Sequence, residues 1–409
     1  MIFSLFIQQL PAQVLTKTFT KEISASENGT INLQGRTLKF YMSGTIHSTS
    51  GDEGYVLKAK KNAPPVLTIA NLKVNTWEKP IVEQNITIKV TPEAGGQAEA
   101  EELLKKLQLN LSESPMGIIE AKNNLNIKRF EMINGWFKRD RNTVVLIDNT
   151  TFNIQKLEIS SVLNIPKTHN LNVKLALMHL ELADLDGHLK VSSLSGNITT
   201  ENLKSFEGQL WHSKVNIKAM ETGMLNAQTC EVNIKEVKNL TIGSNQVQIN
   251  QNLGGLFSLR WSDLSSQNKY RFDNVGKLKI MESTSDKFHI GKVDTIESLY
   301  SFFSDYQVNS LNKSLNIKSK NGDLYVKKIL GGFKELTVHN DVGKIELGIN
   351  EIDHSILTII KEHGLNTNLP ATFKPLKSDG LSTHSFIKGD ADKAGKIDIR
   401  CNQCEILFN

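Results

Sequence analysis

Residues 195–234 read SGNITTENLKSFEGQLWHSKVNIKAMETGMLNAQTCEVNI, and this stretch decides the fold. A small or polar pair comes before an alternating segment three times: Ser195-Gly196 before Asn197-Ile198, Ser213-Lys214 before Val215-Asn216-Ile217, and Cys230-Glu231 before Val232-Asn233-Ile234. Alternating apolar and polar residues predict strands with one buried face. Ser, Asn, Asp and Gly favour tight corners, because they bond to the local backbone or tolerate left-handed geometry. The stretch therefore predicts short strands separated by corners.

The same pattern continues to about residue 350. Further corners are predicted at Asn245, Ser262, Ser285, Ser304, Asn321 and Asn340. A period drifting around about 18 residues is too short for a propeller blade or a helical repeat and fits one coil of a β-solenoid. We therefore predict a mainly β chain with a β-solenoid over residues 166–350. A sandwich of short strands is the competing architecture, and the repeated register disfavours it.

The flanking regions are predicted to cover the two ends of the solenoid, since open strand edges invite aggregation. Residues 14–165 read as a β-rich cap with one helix over residues 97–109. Residues 351–409 read as closing strands, including Lys396–Arg400 and Glu405–Phe408. The apolar face of the predicted helix is formed by Ala100, Leu103, Leu104 and Leu107.

Composition excludes several classes of protein. Of the 409 residues, 39% are hydrophobic and 22% charged, which is typical of a folded chain rather than a disordered one. No apolar stretch approaches the roughly 18 residues of a spanning helix, so we expect no integral helical membrane protein. Three cysteines do not make a disulfide scaffold. A net charge of +5 with both signs mixed is no nucleic-acid signature.

The N-terminus indicates export. Residues 1–13 contain the apolar run Met1–Ile7 and a small residue before Gln13, which resembles the end of a signal peptide. The charged segment that should precede the run is missing, and the run is short. We interpret residues 1–13 as a truncated signal peptide and expect an extracytoplasmic location. A frayed N-terminal strand is the alternative.

Cys401 and Cys404 form a C-x-x-C pair between two strand-like segments. A redox pair normally lies at a helix N-terminus, and a metal site would need further ligands. We expect neither role. A structural disulfide is possible only if the chain turns tightly here, because residues three apart in an extended strand are about 10 Å apart.

Acidic residues recur at the predicted corners, and this leaves an enzyme as an alternative. Converging carboxylates beside aromatic side chains could cleave a polysaccharide. We favour a structural role, because Asp commonly bonds to the backbone at corners. The acids in question are Asp263, Asp286, Asp305, Asp323 and Asp341, and the aromatics near corners are Trp211, Trp261 and Tyr306.

Two further clusters have weak functional interpretations. Asp184, Asp186 and His188 resemble part of a calcium loop, but the other ligand positions are absent. A group of lysines could face anionic glycans or lipid headgroups, although a solvated face is the simpler interpretation. These are Lys313, Lys318, Lys320, Lys327, Lys328 and Lys334.

The chain resembles the adhesin-like β-solenoid family of bacterial cell-envelope proteins over roughly residues 65–409. The resemblance rests on a strand and Trp turn, a helix after a strand, two strand-corner-strand coils and a closing strand. These segments are Leu72–Lys79, Glu99–Leu107 after Ile86–Val90, Leu189–Ile198, Leu315–Val326 and Gly395–Ile399. The glycine common at the family's corners is mostly Ser, Asn or Cys here, and residues 34–65 are extra material.

The resemblance implies an exported envelope protein with no catalytic residues, cofactor or metal. We therefore expect a binding or structural protein that presents a rigid solenoid surface, with a cell-surface glycan or envelope protein as partner and no nucleic acid. A β-helix enzyme acting on polysaccharide and an envelope scaffold or signalling component are the alternatives.

Overall fold

The computed structural model of the chain describes residues 13–36, 39–43, 47–51, 54–59, 62–133, 141–243, 267–361, 367–378 and 382–409. Over these residues the fold is mainly β, as predicted, with one α-helix and one 3-10 helix. The chain forms two compact units, residues 1–182 and 183–409. Strand Thr151–Pro166 crosses the boundary that the sequence suggests between residues 165 and 166.

Several predictions fall outside the described residues. Residues 1–12 of the proposed signal peptide belong to this group, as do Trp261 and the corner residues Asn245, Ser262 and Asp263.

Unit 1 combines strands with the helix α1 (Gln97–Lys106). Its strands are β1 (Leu15–Ser24), β2 (Thr30–Arg36), β3 (Lys39–Ser43), β4 (His47–Gly51), β5 (Gly54–Lys58), β6 (Pro65–Trp77), β7 (Ile81–Pro92), β8 (Asn110–Glu113), β9 (Ile119–Lys122), β10 (Ile127–Ile133), β11 (Arg141–Leu146), β12 (Thr151–Pro166), β13 (Asn170–Ala176) and β14 (His179–Leu182). β7 lies between β1 and β12 and is antiparallel to both, while β6 runs parallel to β12. Side chains alternate between buried and exposed along β7, so the period-2 pattern sets its inner face.

Helix α1 begins at the predicted residue and ends earlier than predicted. Ala100, Leu103 and Leu104 are buried, as the helical spacing requires. The helix stops at Lys106 because Leu107 adopts an extended backbone, although the Leu107 side chain is still buried. Glu102 and Lys106 form an i,i+4 ion pair, at 3.5 Å.

Unit 2 contains the repeated sequence. Its strands are β15 (Leu185–Leu194), β16 (Asn197–Trp211), β17 (Lys214–Gln228), β18 (Glu231–Ile242), β19 (Lys269–Ile280), β20 (Ser283–Thr284), β21 (Lys287–Phe302), β22 (Asp305–Asn321), β23 (Leu324–Val326), β24 (Glu335–Leu347), β25 (Ser355–Lys361), β26 (Lys374–Ser378), β27 (Thr383–Lys388) and β28 (Gly395–Phe408), with the 3-10 helix Ala391–Lys393 before β28. The predicted closing strands Lys396–Arg400 and Glu405–Phe408 are two parts of β28.

Most of unit 2 is a ladder of parallel strands. β15, β16, β17, β18, β19, β21, β22, β24 and β28 pair in this order. Equivalent residues on neighbouring strands are usually 17 or 18 residues apart. β18 pairs directly with β19, where the offset is 38 residues. The corner before β19 is Gln267-Asn268, a position that the sequence analysis missed.

Apolar side chains at equivalent positions on successive strands form buried columns. Val215, Val232, Tyr270, Phe288 and Tyr306 are register partners on successive strands. The Phe288 ring stacks between the two tyrosines, with centroids 4.9 Å from Tyr270 and 4.8 Å from Tyr306. These aromatic rings therefore stack in the buried interior across three successive strands.

The described part of the chain holds no helix that is long and apolar enough to cross a membrane.

Candidate functional site

Six corners of the parallel ladder, among the described residues, hold a left-handed residue that is not glycine. Such a backbone is uncommon outside glycine, and here the neighbouring strands determine it. The backbone N–H of Ser195, for example, donates to the Trp211 carbonyl of the next strand at 2.9 Å. The corner residues with positive φ are Ser195, His212, Thr229, Gln267, Ser285 and Phe303.

The residue after each left-handed position points inward and forms a chain of hydrogen bonds, which we call the corner ladder. It comprises Gly196, Ser213, Cys230, Asn268, Asp286 and Ser304. In each case the backbone N–H at one corner donates to the side chain at the next, as Cys230 does to Asn268 Oδ1 at 2.9 Å and Asn268 to Asp286 Oδ1 at 2.8 Å. A buried N–H needs such an acceptor, so small polar residues recur at this position.

The described corner acids act in the same way. Asp286 is fully buried in the corner ladder. Asp305 accepts from the Asp323 N–H at 3.2 Å, and Asp323 accepts from the Lys344 N–H at 2.8 Å. Asp341 accepts from the Asn402 amide at 2.9 Å. Each of these four carboxyl groups therefore holds neighbouring segments together.

The predicted corner aromatics do not form an exposed platform in the described part of unit 2. Tyr306 is buried, and its hydroxyl bonds to Ser298 at 3.1 Å and Ser301 at 3.0 Å. Burial raises the pKa of Tyr306 to about 12. Trp211 is half-buried against the His212 ring, with centroids 4.6 Å apart.

The segment that resembles a calcium loop is engaged by protein groups. Asp184 Oδ1 accepts hydrogen bonds from the backbone and side-chain amides of Asn202, at 3.0 and 2.8 Å. His188 Nδ1 lies 2.7 Å from the Ser205 hydroxyl, and its other ring nitrogen is 3.7 Å from Glu207. Across the described residues, no three His, Cys, Asp or Glu side chains are grouped as metal ligands.

An open groove of about 550 Å³ crosses strands β16 to β21 and contains the carboxyl groups of Glu221, Glu236 and Asp294. The Lys238 ammonium donates to Glu221 at 2.7 Å and lowers the pKa of that carboxyl. Hydrogen bonds from Lys313 and Asn312, both 2.7 Å, lower the pKa of Asp294.

A glycoside-cleaving acid needs the opposite shift, a raised pKa that keeps it protonated near neutral pH. The direction of the pKa shifts at Glu221 and Asp294 therefore favours ion pairing over acid catalysis in the groove.

The two C-terminal cysteines are bonded to each other in the structure. The Cα atoms of Cys401 and Cys404 are 5.7 Å apart, so the chain turns between them rather than running fully extended. Cys230 is a separate, buried thiol of the corner ladder that donates to the Gln228 carbonyl at 3.2 Å. Burial raises its pKa to about 11, which leaves the thiol protonated and unreactive near neutral pH.

The predicted lysine cluster is divided among different contacts. Lys313 pairs with Asp294 and Lys328 with Glu351, each at 2.7 Å. Lys320 lies over the Phe302 ring, 5.8 Å from its centroid. Lys318, Lys327 and Lys334 have no ion-pair partner within the described ranges. The cluster is therefore not one continuous patch of free charge.

A different set of basic side chains does come together, and it was not predicted from the sequence. Lys269 is the register partner of Lys287, and Arg271 is the register partner of His289. All four side chains are exposed on the outer side of β19 and β21. We call them the cationic quartet. Lys269 and Lys287 are 18 residues apart, and so are Arg271 and His289. The repeat would therefore have revealed both pairs if a corner had been predicted at Asn268.

No protein-family model matches this chain, and no curated protein matches it. Among solved structures, a "putative cell adhesion protein" from Clostridium sporogenes is similar at 12% identity and covers 96% of this chain and 99% of its own. The TM-score is 0.16, and a likeness this low gives no information about the fold or function of this chain.

Proposed function

We propose that the chain is an exported, non-catalytic binding protein of the bacterial cell envelope, and that unit 2 is a β-solenoid that presents its binding surface. One observation carries the proposal: the parallel register brings equivalent residues of successive strands side by side, usually 17 or 18 residues apart in the chain. Each outward position thereby becomes a column of exposed side chains. Such a stacked fold is rigid and regular, and it suits contact with an extended partner at several points.

The roles of the acidic residues support the non-catalytic part of the proposal. Asp286, Asp305, Asp323 and Asp341 are used in contacts between neighbouring segments. The carboxyl groups of Glu221 and Asp294 in the groove form ion pairs. The resemblance of the sequence to adhesin-like envelope proteins, together with the apolar N-terminal run, supports export.

Surface labelling of cells tests the location. A tagged copy expressed in its native host should be labelled by antibody on unpermeabilised cells, while a cytosolic marker in the same cells stays unlabelled. Labelling only after permeabilisation, together with the cytosolic marker, would overturn the proposed envelope location.

An assay for new reducing ends tests the absence of catalysis. The purified chain should release none from polygalacturonate or from neutral dextran during prolonged incubation. Release that disappears in a Glu221→Gln or Asp294→Asn variant would establish the enzyme alternative instead.

A further inference from the structure

We propose that the cationic quartet, Lys269, Arg271, Lys287 and His289, is a binding site for an anionic polysaccharide. The inference deepens the proposed binding role and rests on it.

The quartet departs from the charge pairing of the strands that precede it in the ladder. On β15 to β18, neighbouring strands place opposite charges side by side: Lys190 pairs with Glu207 at 2.7 Å, Lys218 with Glu201 at 2.8 Å and Lys238 with Glu221 at 2.7 Å. In the quartet, by contrast, lysine faces lysine and arginine faces histidine across strands about 4.8 Å apart. The two lysine ammonium groups are like charges in facing positions, which destabilise a sheet, so an external anion would relieve a cost that the fold itself leaves in place.

The carboxylates next to the quartet form no ion pair with it. Glu231, the register partner of Lys269 on the other side, forms an ion pair with Lys214 at 3.7 Å. Asp305, the register partner of Lys287, accepts the Asp323 N–H. Asp273 follows Arg271 at the next outward position of β19. None of the four quartet side chains forms an ion pair or side-chain hydrogen bond with any residue that the structure describes.

The surroundings of the quartet favour a polysaccharide over a membrane. Arg271 and His289 continue a column that has Asn233 on one side and Gln307 on the other, so amide groups that can bond to sugar hydroxyls flank the charges. Around the quartet, residues 269–275 and 287–293 carry no exposed large apolar side chain, and an interface with a bilayer would need such groups there; the exposed Leu299 and Tyr300 lie farther along β21. Charges on two neighbouring strands match a polymer that carries an anion on each repeating unit.

The site is tested by binding of the full chain to polygalacturonate, with neutral dextran as a second probe. The double variant K269Q/R271Q should bind polygalacturonate about tenfold more weakly or worse, since it loses two charge-assisted contacts. The matched control K277Q/K279Q removes the same two charges from the same strand, away from the quartet, and should bind within about twofold of the parent.

The variant Lys287→Gln separates loss of binding from loss of fold. It removes one of the two ammonium groups that face each other at Lys269 and Lys287 and creates no new like-charge pair, so its thermal midpoint should equal or exceed that of the parent while binding is weakened. Equal weakening in K269Q/R271Q and K277Q/K279Q would overturn the site in favour of a general charge effect.

Two other outcomes would overturn the assignment of an anionic polysaccharide as the ligand. One is the absence of polygalacturonate binding at low salt. The other is quartet-dependent binding to vesicles of equimolar phosphatidylcholine and phosphatidylserine without binding to the polysaccharide. Either result leaves the proposed envelope location standing, because surface labelling tests that separately.

Discussion

At the scale of single residues, unit 2 depends on the acceptor that each corner provides for a buried backbone N–H. Asn268 takes part in several of these contacts. Its Oδ1 accepts from Cys230, its backbone N–H donates to Asp286, and its Nδ2 donates to the Ala227 carbonyl at 2.9 Å. Losing this side chain leaves several buried polar groups without partners, which costs more than the bonds themselves contribute.

We expect Asn268→Ala to lower the free energy of unfolding by about 2–4 kcal/mol. Urea denaturation of the parent and the variant measures the difference. The control is Asn239→Ala, an exposed asparagine of β18, which should change stability by less than about 0.5 kcal/mol. Equal and small effects for the two variants would show that the corner ladder contributes little.

A second residue-scale prediction concerns pH. His169 in unit 1 is buried, and this burial lowers its pKa below 6.5. The unfolded chain takes up the proton at the ordinary pKa and the folded chain only at a lower pH, so stability falls as the pH drops through that interval.

The variant His169→Gln should therefore lose less thermal stability than the parent between about pH 7.5 and pH 5.5. Melting curves at both pH values provide the comparison. Parallel losses in the two proteins would contradict a role for His169 protonation in acid sensitivity.

At the scale of elements, local patterns predicted strands and the start of the helix well. The period-2 alternation sets the inner faces of β17 and β18, and apolar spacing places Ala100, Leu103 and Leu104 inward. The helix ends early because of backbone geometry at Leu107, which side-chain spacing does not encode.

The corner before β19 was missed for a different reason. Counting along the chain assumes that each repeat follows directly on the last, whereas β18 pairs with β19 across an offset of 38 residues. Which cations lie side by side depends on that register, so the cationic quartet was not predicted either.

The stacked rings of Tyr270, Phe288 and Tyr306 allow a test of how much packing between neighbouring strands contributes to stability. Phe288 packs between Tyr270 and Tyr306, so Phe288→Ala should cost about 3–5 kcal/mol of unfolding free energy. Phe288→Leu, which keeps most of the volume, should cost less than about half as much.

The matched control for this change is Phe303→Ala. Phe303 is 55% exposed at a neighbouring corner, and its removal should change stability by less than about 0.5 kcal/mol. Denaturant titration of all three variants gives the ranking. A Phe288→Ala cost similar to that of Phe303→Ala would argue against a packed interior at this position.

At the scale of the whole molecule, the proposed function depends on the stacking of coils rather than on any single side chain. A net charge of +5 spread over 409 residues says little about partners. The register converts a scattered set of residues into columns, and it places Lys269, Arg271, Lys287 and His289 together, whereas β15 to β18 pair opposite charges. The step from β18 to β19 is the critical one, because it brings together residues that are far apart in the chain.

The most direct test of this stacking is a disulfide engineered across that step. Asn233 and Arg271 are register partners, and neighbouring strands about 4.8 Å apart lie within disulfide reach. Oxidation of the double variant Asn233→Cys/Arg271→Cys should give an intramolecular disulfide, detected by mass spectrometry of peptides. The pair Asn239→Cys/Arg271→Cys is closer in sequence and should give none. A disulfide in the second pair but not in the first would contradict the register, and with it the surface on which the proposed binding depends.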